Sequence, residues 1–221
     1  MPDRTTHPHA TVAVVLQVRD GALQVLLWQR AKEPFAGAWS LPGGRLASDE
    51  PLDASIRRHL AAKVDVRELA HLEQLETRLS GGEVTTAYLG LIPTPADPAL
   101  PPDTRWHDVE ALPRLAFDHA AIALAGRDRL RAKLSYTNVG FALAPDTFTI
   151  SELRELYRAA LGYDLSATNL QRVLLRRGVL EQTGGYREPG RTGGRPAAVF
   201  RFRSRDLQVT DPFAVLRPPA A

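Results

Sequence analysis

The sequence predicts an α+β protein of two successive domains, a sandwich of strands and helices followed by a small helical domain that ends in a hairpin. Short β-branched runs and one early helix after a glycine turn fill the first half. A stretch of linker-like composition follows, 135–146. The charge then changes sign, because residues 1–126 carry 12 Lys and Arg against 16 Asp and Glu, whereas residues 127–221 carry 16 against 9. The basic second half favours a polyanionic partner.

The composition excludes several classes of protein. With 221 residues, 44% hydrophobic and 24% charged, the chain is long and apolar enough to fold around one or two cores. The absence of cysteine excludes disulfide scaffolds, cysteine-ligated zinc and thiol nucleophiles. No apolar run approaches the roughly 18 residues that a membrane span needs, and the polar start MPDRTTHPHA is not a signal peptide. We therefore expect a cytoplasmic protein without a membrane partner.

The first half contains a β-hairpin and an amphipathic helix. Two apolar runs flank the turn Asp20-Gly21 and are predicted to be strands, Thr11–Val18 and Leu23–Trp28. Apolar residues at intervals of four predict a helix from Glu50 to Val64, with Pro51 at its first position. The remaining predicted elements are two strands and a helix, namely Arg67–Leu75, Glu83–Leu91 and Asp118–Lys133.

The second half predicts a helix–turn–helix followed by a hairpin. The first helix begins near Ser151, a suitable N-cap, and ends at Gly162. The second helix is Ser166–Arg177, with inward-facing apolar residues, Leu170, Val173 and Leu174, and outward-facing polar ones, Gln171, Arg172, Arg176 and Arg177. The strands Val179–Gln182 and Ala197–Phe202 then enclose a glycine-rich loop, Thr183–Gly194. This order of elements is the outline of a winged helix.

The residue types on this outline suit DNA. Arginine, glutamine and threonine on a helix in the major groove reach base edges and phosphates, and a basic wing contacts the neighbouring backbone or minor groove. A basic strip, Arg127 to Lys133, precedes the linker-like stretch. The predicted DNA-binding residues are Lys133, Thr168, Asn169, Gln171, Arg172, Arg176, Arg177, Arg187, Arg191 and Arg195.

The most specific motif begins at Gly44 and resembles the Nudix box. That box consists of glycine, five residues, glutamate, seven residues, and then Arg-Glu-aliphatic-x-Glu-Glu-x-Gly-aliphatic. Five residues of this sequence fall in register, Gly44, Glu50, Arg58, Leu60 and Val66, and the frequent neighbours Trp39, Leu41, Pro42 and Gly43 precede them. The resemblance implies a Nudix-like α/β/α sandwich.

The sequence departs from the box at the residues that hold magnesium in Nudix hydrolases. The three metal-binding glutamates are replaced by His59, Ala62 and Lys63, and Asp65 stands where the box has glycine. An alanine offers no ligand and a lysine ammonium repels a divalent cation. We therefore expect no metal site, no cofactor and no enzymatic activity, but retained binding of a nucleotide diphosphate, with Lys63 as a fixed positive charge in place of the ion. The expected ligand-binding residues are Arg30, Trp39, Gly43, Gly44, Arg45, Glu50, Arg58 and Lys63, and Phe35 is a further candidate for stacking on a base.

A Nudix-like domain joined to a winged helix resembles the NrtR family of repressors of NAD metabolism. Scattered family segments support the resemblance, among them Leu72–Leu75, Ala116–His119, Leu130–Leu134, Phe148–Leu153 and Arg195–Ala197. The resemblance implies a homodimer that binds a palindromic operator in double-stranded DNA and senses ADP-ribose or a related NAD-derived nucleotide. The corresponding domains are a Nudix-like sensor (8–135), a linker (136–146), a winged helix (147–206) and a C-terminal tail (207–221).

Two alternatives remain at this point. One is a Nudix hydrolase that acts on ADP-ribose-like compounds through a relocated metal site, using Glu50, Glu73, Glu76 or Glu83. The other is a nucleotide-binding or scaffold protein without a DNA function. Phosphate-bond cleavage with magnesium or manganese would favour the first, and absence of salt-sensitive duplex binding would favour the second.

Overall fold

The computed structural model describes residues 7–80, 82–188 and 196–211. The strands are β1 (His9–Arg19), β2 (Ala22–Gln29), β3 (Trp39–Ser40), β4 (Gly43–Arg45), β5 (His71–Ser80), β6 (Glu83–Leu91), β7 (Thr104–Asp108), β8 (Phe148–Thr149), β9 (Leu180–Arg187) and β10 (Ala197–Phe202). The helices are α1 (Leu52–Val64), α2 (His119–Tyr136), a short 3₁₀ helix (Val139–Ala142), α3 (Ile150–Leu161) and α4 (Ala167–Arg176).

Strand β1 lies at the centre of a seven-stranded sheet. The strand order is β3-β2-β1-β6-β5, with β4 also paired to β1 and β7 to β2. The β1–β6 pair is parallel, from His9 opposite Val84 to Leu16 opposite Leu91. Every residue of β1 between its two ends is buried. A strand buried on both faces requires a nearly continuous apolar run, which explains why the sequence of β1 predicted it so clearly.

Helices cover both faces of this sheet. The hydroxyl of Thr11 donates to that of Ser55 on α1 over 3.3 Å. On α2, Gly126 lies against β1, where an added Cβ would come within 2.7 Å of Val14 Cγ1. Because successive side chains of a strand alternate between faces, positions 11 and 14 point to opposite sides. The first part of the chain is thus an α/β/α sandwich, as predicted.

Several element ends differ from the prediction. Strand β5 begins at His71, four residues later than expected, and continues to Ser80. Pro51 is the N-cap of α1 and not its first helical residue, because its ψ of 145° is extended. Strand β9 continues into the first part of the predicted glycine-rich loop, as far as Arg187, which pairs with Ala197 of β10. The length of β9 is set by backbone hydrogen bonds to the neighbouring strand. Side-chain patterns in the sequence do not reveal such bonds.

Contacts divide the chain into two units. The first comprises Met1–Leu16, Gln24–Leu91 and Asp97–Arg127, and the second comprises Gln17–Leu23, Ile92–Ala96 and Asp128–Ala221. Within the second unit, the amide of Gln17 donates to the carbonyls of Pro93 (2.8 Å) and Ala96 (2.6 Å), which holds its two N-terminal segments together. The division between the units falls inside α2, whereas the sequence placed the end of the first domain at residue 135.

The second unit contains the predicted winged helix. Its three-stranded sheet has the order β8-β10-β9, α4 buries the residues that the sequence assigned to its inner face, Leu170, Val173 and Leu174, and α3 buries Leu153 and Leu156. The rings of Phe148 and Phe202 lie 5.4 Å apart and join β8 to β10.

Helix α3 begins with a capping box at Thr149, not at Ser151 as predicted. The Thr149 hydroxyl accepts from the Glu152 amide (3.3 Å), and the Glu152 carboxylate accepts from the Thr149 amide (2.8 Å). The box requires a glutamate three residues after the cap. Thr149 has one, whereas Arg154 occupies that position relative to Ser151, which explains the correction.

The segment predicted as a linker is not an exposed connection. Its 3₁₀ helix and the following residues to Ala144 are buried. The start of the predicted tail pairs with it, since Asn138 donates to the Asp206 carbonyl (2.9 Å) and accepts from the Gln208 amide (2.7 Å). Linker-like composition failed as a signal here because backbone pairing and alanine packing bury residues without a strong apolar pattern. The rest of the tail, 212–221, lies outside the described residues.

The capping box at Thr149 should contribute measurably to the free energy of unfolding. We expect Thr149→Ala to lower the free energy of unfolding by about 1 kcal/mol, because the amide of Glu152 loses its acceptor. Ser151→Ala, on the exposed face of the same helix, is the matched control and should change it by less than about 0.5 kcal/mol. Urea unfolding measures both, and equal losses would contradict the assignment of the cap.

Candidate functional site

The glycine turn of the first unit lies directly on the central strand. The Ala13 amide donates to the carbonyl of Pro42 over 2.9 Å. A Cβ at Gly43 would collide with the Thr11 carbonyl and come within 2.7 Å of Val12 Cα. Only glycine fits this approach. The turn therefore presents its backbone at a fixed position beside the C-terminal half of α1, where Lys63 and His59 lie.

Glu50 is held by Arg58 in a two-pronged ion pair. Arg58 Nε and Nη2 each lie 2.7 Å from a carboxylate oxygen of Glu50, and the Ala47 amide also donates to that carboxylate. The Arg58 hydrogen bonds hold the pKa of Glu50 well below its usual 4.5, at about 2. Both residues were predicted to bind ligand, and the structure brings them together as partners of each other.

The ammonium of Lys63 stands at the glycine turn, where it would attract an anion and repel a metal ion. Its Nζ donates to the Gly43 carbonyl over 2.5 Å and lies 4.4 Å above the centre of the Trp28 ring. Burial lowers the pKa of the Lys63 ammonium, and the charges of Arg30 and Arg58 lower it further. Lys63 thus stands at the glycine turn within the electrostatic influence of Arg30 and of Arg58, the latter paired with Glu50.

The other replaced glutamate positions supply no carboxylate either. His59 is buried, its Nε2 lies 2.9 Å from the Arg45 carbonyl, and burial lowers the pKa of the imidazole. Gly44 passes over this ring, where a Cβ would come within 2.5 Å of His59 Cε1. Ala62 is exposed. Residues 7–80, 82–188 and 196–211 contain no group of three or more histidines or acids placed to hold a metal ion.

Besides Glu50, the acids considered for a relocated metal site lie on the hairpin of β5 and β6, and each has a basic side chain as its partner. Glu73 lies 3.1 Å from His71, Glu76 lies 2.8 Å from Arg78, and Glu83 lies 3.9 Å from Arg45. Arg45 itself is largely exposed. The donor set therefore does not fit magnesium, because Glu50 already engages Arg58 and an ammonium stands at the Gly43 carbonyl.

An aromatic cluster adjoins this region. The guanidinium of Arg30 lies 4.8 Å from the Phe117 ring centre, and Phe35 meets Phe117 edge-on at 5.0 Å. Both phenylalanines have a positive φ, 68° at Phe35 and 54° at Phe117, and both are 47% exposed. Exposed aromatic rings on an unfavourable backbone are typical of ligand sites. Trp39, also predicted to bind ligand, packs edge-on against His107 at 4.5 Å.

The sequence analysis did not identify two residues of this cluster, Phe117 and His119, as site residues. Phe117 and His119 flank the start of α2, and the only signal for them was the family segment Ala116–His119. His119 Nδ1 accepts from the Leu41 amide (3.1 Å) and lies 2.9 Å from the Ser40 hydroxyl. Burial lowers the pKa of His119 to about 4. A neutral imidazole therefore fixes the start of α2 to the strand that leads into the glycine turn.

In the second unit, α4 presents a polar face. The Ser166 hydroxyl caps the helix through the Asn169 amide, 3.4 Å away. Four of the predicted DNA-binding residues on this helix are exposed, Thr168, Asn169, Arg172 and Arg176, and Gln171 is half-buried. Arg172 donates to the Asn169 side chain over 2.7 Å, which orients both of them. The helix thus places the predicted residue types on one accessible surface.

Arg177 does not belong to this surface, and its prediction as a DNA-binding residue is wrong. Its side chain is 1% exposed and donates to the Ser135 carbonyl. Arg177 is the C-cap and keeps helical dihedral angles, with its amide bonded to the Val173 carbonyl, so it lies on the same inner face as Val173 and Leu174. The outward assignment followed the charge of the side chain and not its position in the helix.

The other predicted DNA-binding residues lie outside α4. Arg187, at the end of β9, pairs with Glu152 of the capping box, and Lys133 lies in the last turn of α2. Arg191 and Arg195 lie outside the described residues. A cleft of about 510 Å³ runs beside β10, lined by three arginines of that strand and the next segment, Arg201, Arg203 and Arg205.

Comparisons with known proteins match both units. The NUDIX domain family profile matches residues 7–125, and that of the NrtR DNA-binding winged helix domain matches residues 140–202. The chain is 30% identical over 210 residues to the ADPR responsive transcriptional repressor NtrR of Acinetobacter baylyi, covering 90% of this chain and 83% of that protein.

Solved structures agree. Shewanella oneidensis NrtR complexed with a 27mer DNA is 32% identical with a TM-score of 0.75, covering 88% of this chain and 93% of the other. The NUDIX domain of the same protein complexed with ADP ribose is 33% identical with a TM-score of 0.50, covering 57% of this chain and 89% of the other. Among the described residues, no helix is both long and apolar enough to cross a membrane.

Because His119 is buried, we expect the stability of the fold to depend on pH. Between its ordinary pKa of 6.5 and its folded pKa of about 4, the unfolded chain takes up a proton that the folded protein excludes. The free energy of unfolding therefore falls as the pH drops through this window, by up to about 3 kcal/mol from this group. We expect His119→Asn, which keeps an acceptor for the Leu41 amide, to show a smaller fall in urea unfolding between pH 7 and pH 4. Equal falls in both proteins would contradict the assignment.

Proposed function

The chain belongs to the NrtR family of repressors, in which a Nudix domain precedes a winged helix, and on that premise we propose that it is a DNA-binding repressor of NAD biosynthesis or salvage genes. We propose further that its first unit senses ADP-ribose or a related NAD-derived nucleotide without hydrolysing it. The observation that carries the proposal is the exposed polar face of α4 within a winged-helix unit.

The DNA part of the proposal rests on the surface of α4. A capped helix with threonine, glutamine and arginine on its accessible face has the donors that read base edges and contact phosphates in a major groove. Two such helices in a homodimer would enter successive grooves, about one helical turn apart, on a palindromic operator. Contacts from the wing, including Arg187, would add affinity that decreases steeply with salt.

The nucleotide part rests on the electropositive region of the first unit. Lys63 at the glycine turn and Arg30 provide positive charge, which suits the diphosphate of an ADP-ribose-like ligand, and Arg58 beside them is balanced by Glu50. Phe35 and Phe117 offer exposed ring surface for a base. The donor set does not favour magnesium, so we propose metal-independent binding. The ADP ribose complex of the S. oneidensis NUDIX domain supports this class of ligand.

Regulation then follows from linkage between the two units. A nucleotide changes DNA affinity only by the difference between its own affinities for the two conformations of the dimer. Because half-site spacing on DNA is fixed, a small reorientation of the paired recognition helices is sufficient to weaken binding. A coupling free energy of about 1–3 kcal/mol would give a useful response.

Fluorescence anisotropy tests the proposed function directly. The wild-type protein should bind duplexes from upstream of its own gene and of NAD-biosynthesis genes selectively, and ADP-ribose should weaken that binding. Arg172→Ala and Arg176→Ala should each lower DNA affinity roughly tenfold while ADP-ribose binding stays unchanged.

The control for these variants is Arg57→Ala, which removes an exposed arginine from α1 in the first unit and should leave DNA affinity intact. Weak, non-selective DNA binding by the wild-type protein would refute the repressor. Loss of both DNA and nucleotide binding in the α4 variants would show that the two functions are not assigned to separate units as proposed.

Lys63 tests the nucleotide site. Calorimetric titration of wild-type protein with ADP-ribose should give the same affinity in EDTA as in magnesium. Lys63→Glu should weaken binding about 10- to 100-fold, because an anion replaces the cation that faces the diphosphate. Lys63→Met keeps an apolar stem against Trp28 and should weaken binding less.

Arg57→Glu is the matched control for Lys63→Glu, because it makes the same change of charge on the exposed face of the same helix. Unchanged affinity in Lys63→Glu, or wild-type binding that requires magnesium, would refute the role assigned to Lys63. Cleavage of ADP-ribose in the presence of magnesium or manganese would refute the proposed lack of hydrolysis.

A further inference from the structure

The C-terminal end of α4 contains a buried guanidinium that the proposed DNA surface does not use. Arg177 follows the last residue of the helix, and its side chain is 1% exposed. Arginine carries its charge at every physiological pH, and burial of that charge is unfavourable unless it is paired. Such a residue at the base of the proposed recognition helix therefore requires an explanation.

The surroundings of Arg177 leave much of this charge uncompensated. Its Nη2 donates to the Ser135 carbonyl in the last turn of α2, and its Nε lies 3.8 Å from a carboxylate oxygen of Asp211. Within the described part of the chain, its Nε and Nη1 have no hydrogen-bond acceptor. The buried hydroxyl of Tyr157 on α3 also has none, and a Cβ at Gly140 would collide with it. The Arg177 guanidinium is thus bonded to one carbonyl of α2 and faces one carboxylate, that of Asp211.

Stability alone does not account for this arrangement. Replacement of a buried ionic group by an apolar side chain of similar size is often neutral or stabilising. In some proteins a buried charged group instead specifies the relative position of the elements that it joins. Here those elements are the C-terminus of α4 and the last turn of α2.

The other end of α2 carries part of the proposed nucleotide site. His119 at its start is bonded to the Leu41 amide, and Phe117 just before it contacts Arg30. The N-terminal end of α2 belongs to the first unit and its C-terminal end to the second. One continuous helix therefore has the nucleotide cluster at its start and the Arg177 contact at its end.

We infer that Arg177 is the positioning residue that couples nucleotide binding to DNA affinity, by fastening the C-terminus of α4 to the last turn of α2. This inference rests on the proposed function. Arg177 touches neither DNA nor nucleotide in this role. Its contact with Ser135 transmits a shift of α2 to the orientation of α4, whereas the exposed Arg176 beside it, whose Nη2 lies 3.6 Å from the same Asp211 carboxylate, is assigned to DNA.

The test compares Arg177→Met with Arg176→Met, two neighbouring arginines given the same substitution. For each protein, anisotropy gives the DNA dissociation constant with and without saturating ADP-ribose and its dependence on salt, and calorimetry gives ADP-ribose affinity. Arg177→Met should bind ADP-ribose like the wild-type protein and keep the wild-type salt slope. The ratio of its two DNA dissociation constants should fall at least fivefold toward 1.

Arg176→Met should show the opposite pattern. Its DNA binding should be weaker, and the slope of log affinity against log salt concentration should fall by about one. The ratio of its DNA dissociation constants with and without ADP-ribose should stay unchanged. Arg177→Lys, which keeps a charged donor for the Ser135 carbonyl, should restore part of the ratio and serves if Arg177→Met does not fold. A wild-type ratio in a folded Arg177→Met, or a salt slope lowered as in Arg176→Met, would overturn the inference while leaving the repressor intact. A wild-type protein whose DNA binding ignores ADP-ribose would refute the proposed sensing function and this inference with it.

Discussion

The close fit of Gly43 against β1 is the constraint on which the candidate site of the first unit depends. Because no side chain can be accommodated there, the turn rests on the central strand of the sheet. This contact fixes the carbonyl that Lys63 meets and the path of Gly44 over His59. The position of the site is thus set by backbone packing, and α1 supplies the side chains that decide its chemistry.

Those side chains invert the electrostatics expected of the Nudix box. Where the box gathers carboxylates around a cation, this chain places an ammonium and an imidazole, and commits its remaining glutamate to an arginine. The proposed result is a site that attracts the phosphates of a nucleotide directly. For a sensor this has a functional advantage, because a protein that does not degrade its signal reports the concentration of that signal without lowering it.

The sequence predicted the parts of this molecule that are governed by periodic burial. The buried run of β1 and the apolar spacing of α1 and α4 identified those elements and their inner faces. Prediction failed where a contact distant in sequence decides the outcome. The charge of Arg177 is accommodated on the inner face of α4 because the Ser135 carbonyl lies beside it, and the segment after α2 is buried because residues 206–211 pair with it. Phe117 and His119 showed no pattern, since their role depends on Arg30 and Leu41, about eighty residues away in sequence.

The pairing of Asn138 with residues 206–208 has a mechanical meaning. The chain enters the winged-helix portion just after Tyr136 and returns to the same place at Thr210, whose amide bonds to the Tyr136 carbonyl over 2.9 Å. Tension between these two points would be borne by that short ladder of bonds and would bypass α3, α4 and the wing. A module whose two ends are fastened together is not pulled apart along the chain, so a displacement of α2 reaches α4 through side contacts such as that of Arg177 with Ser135.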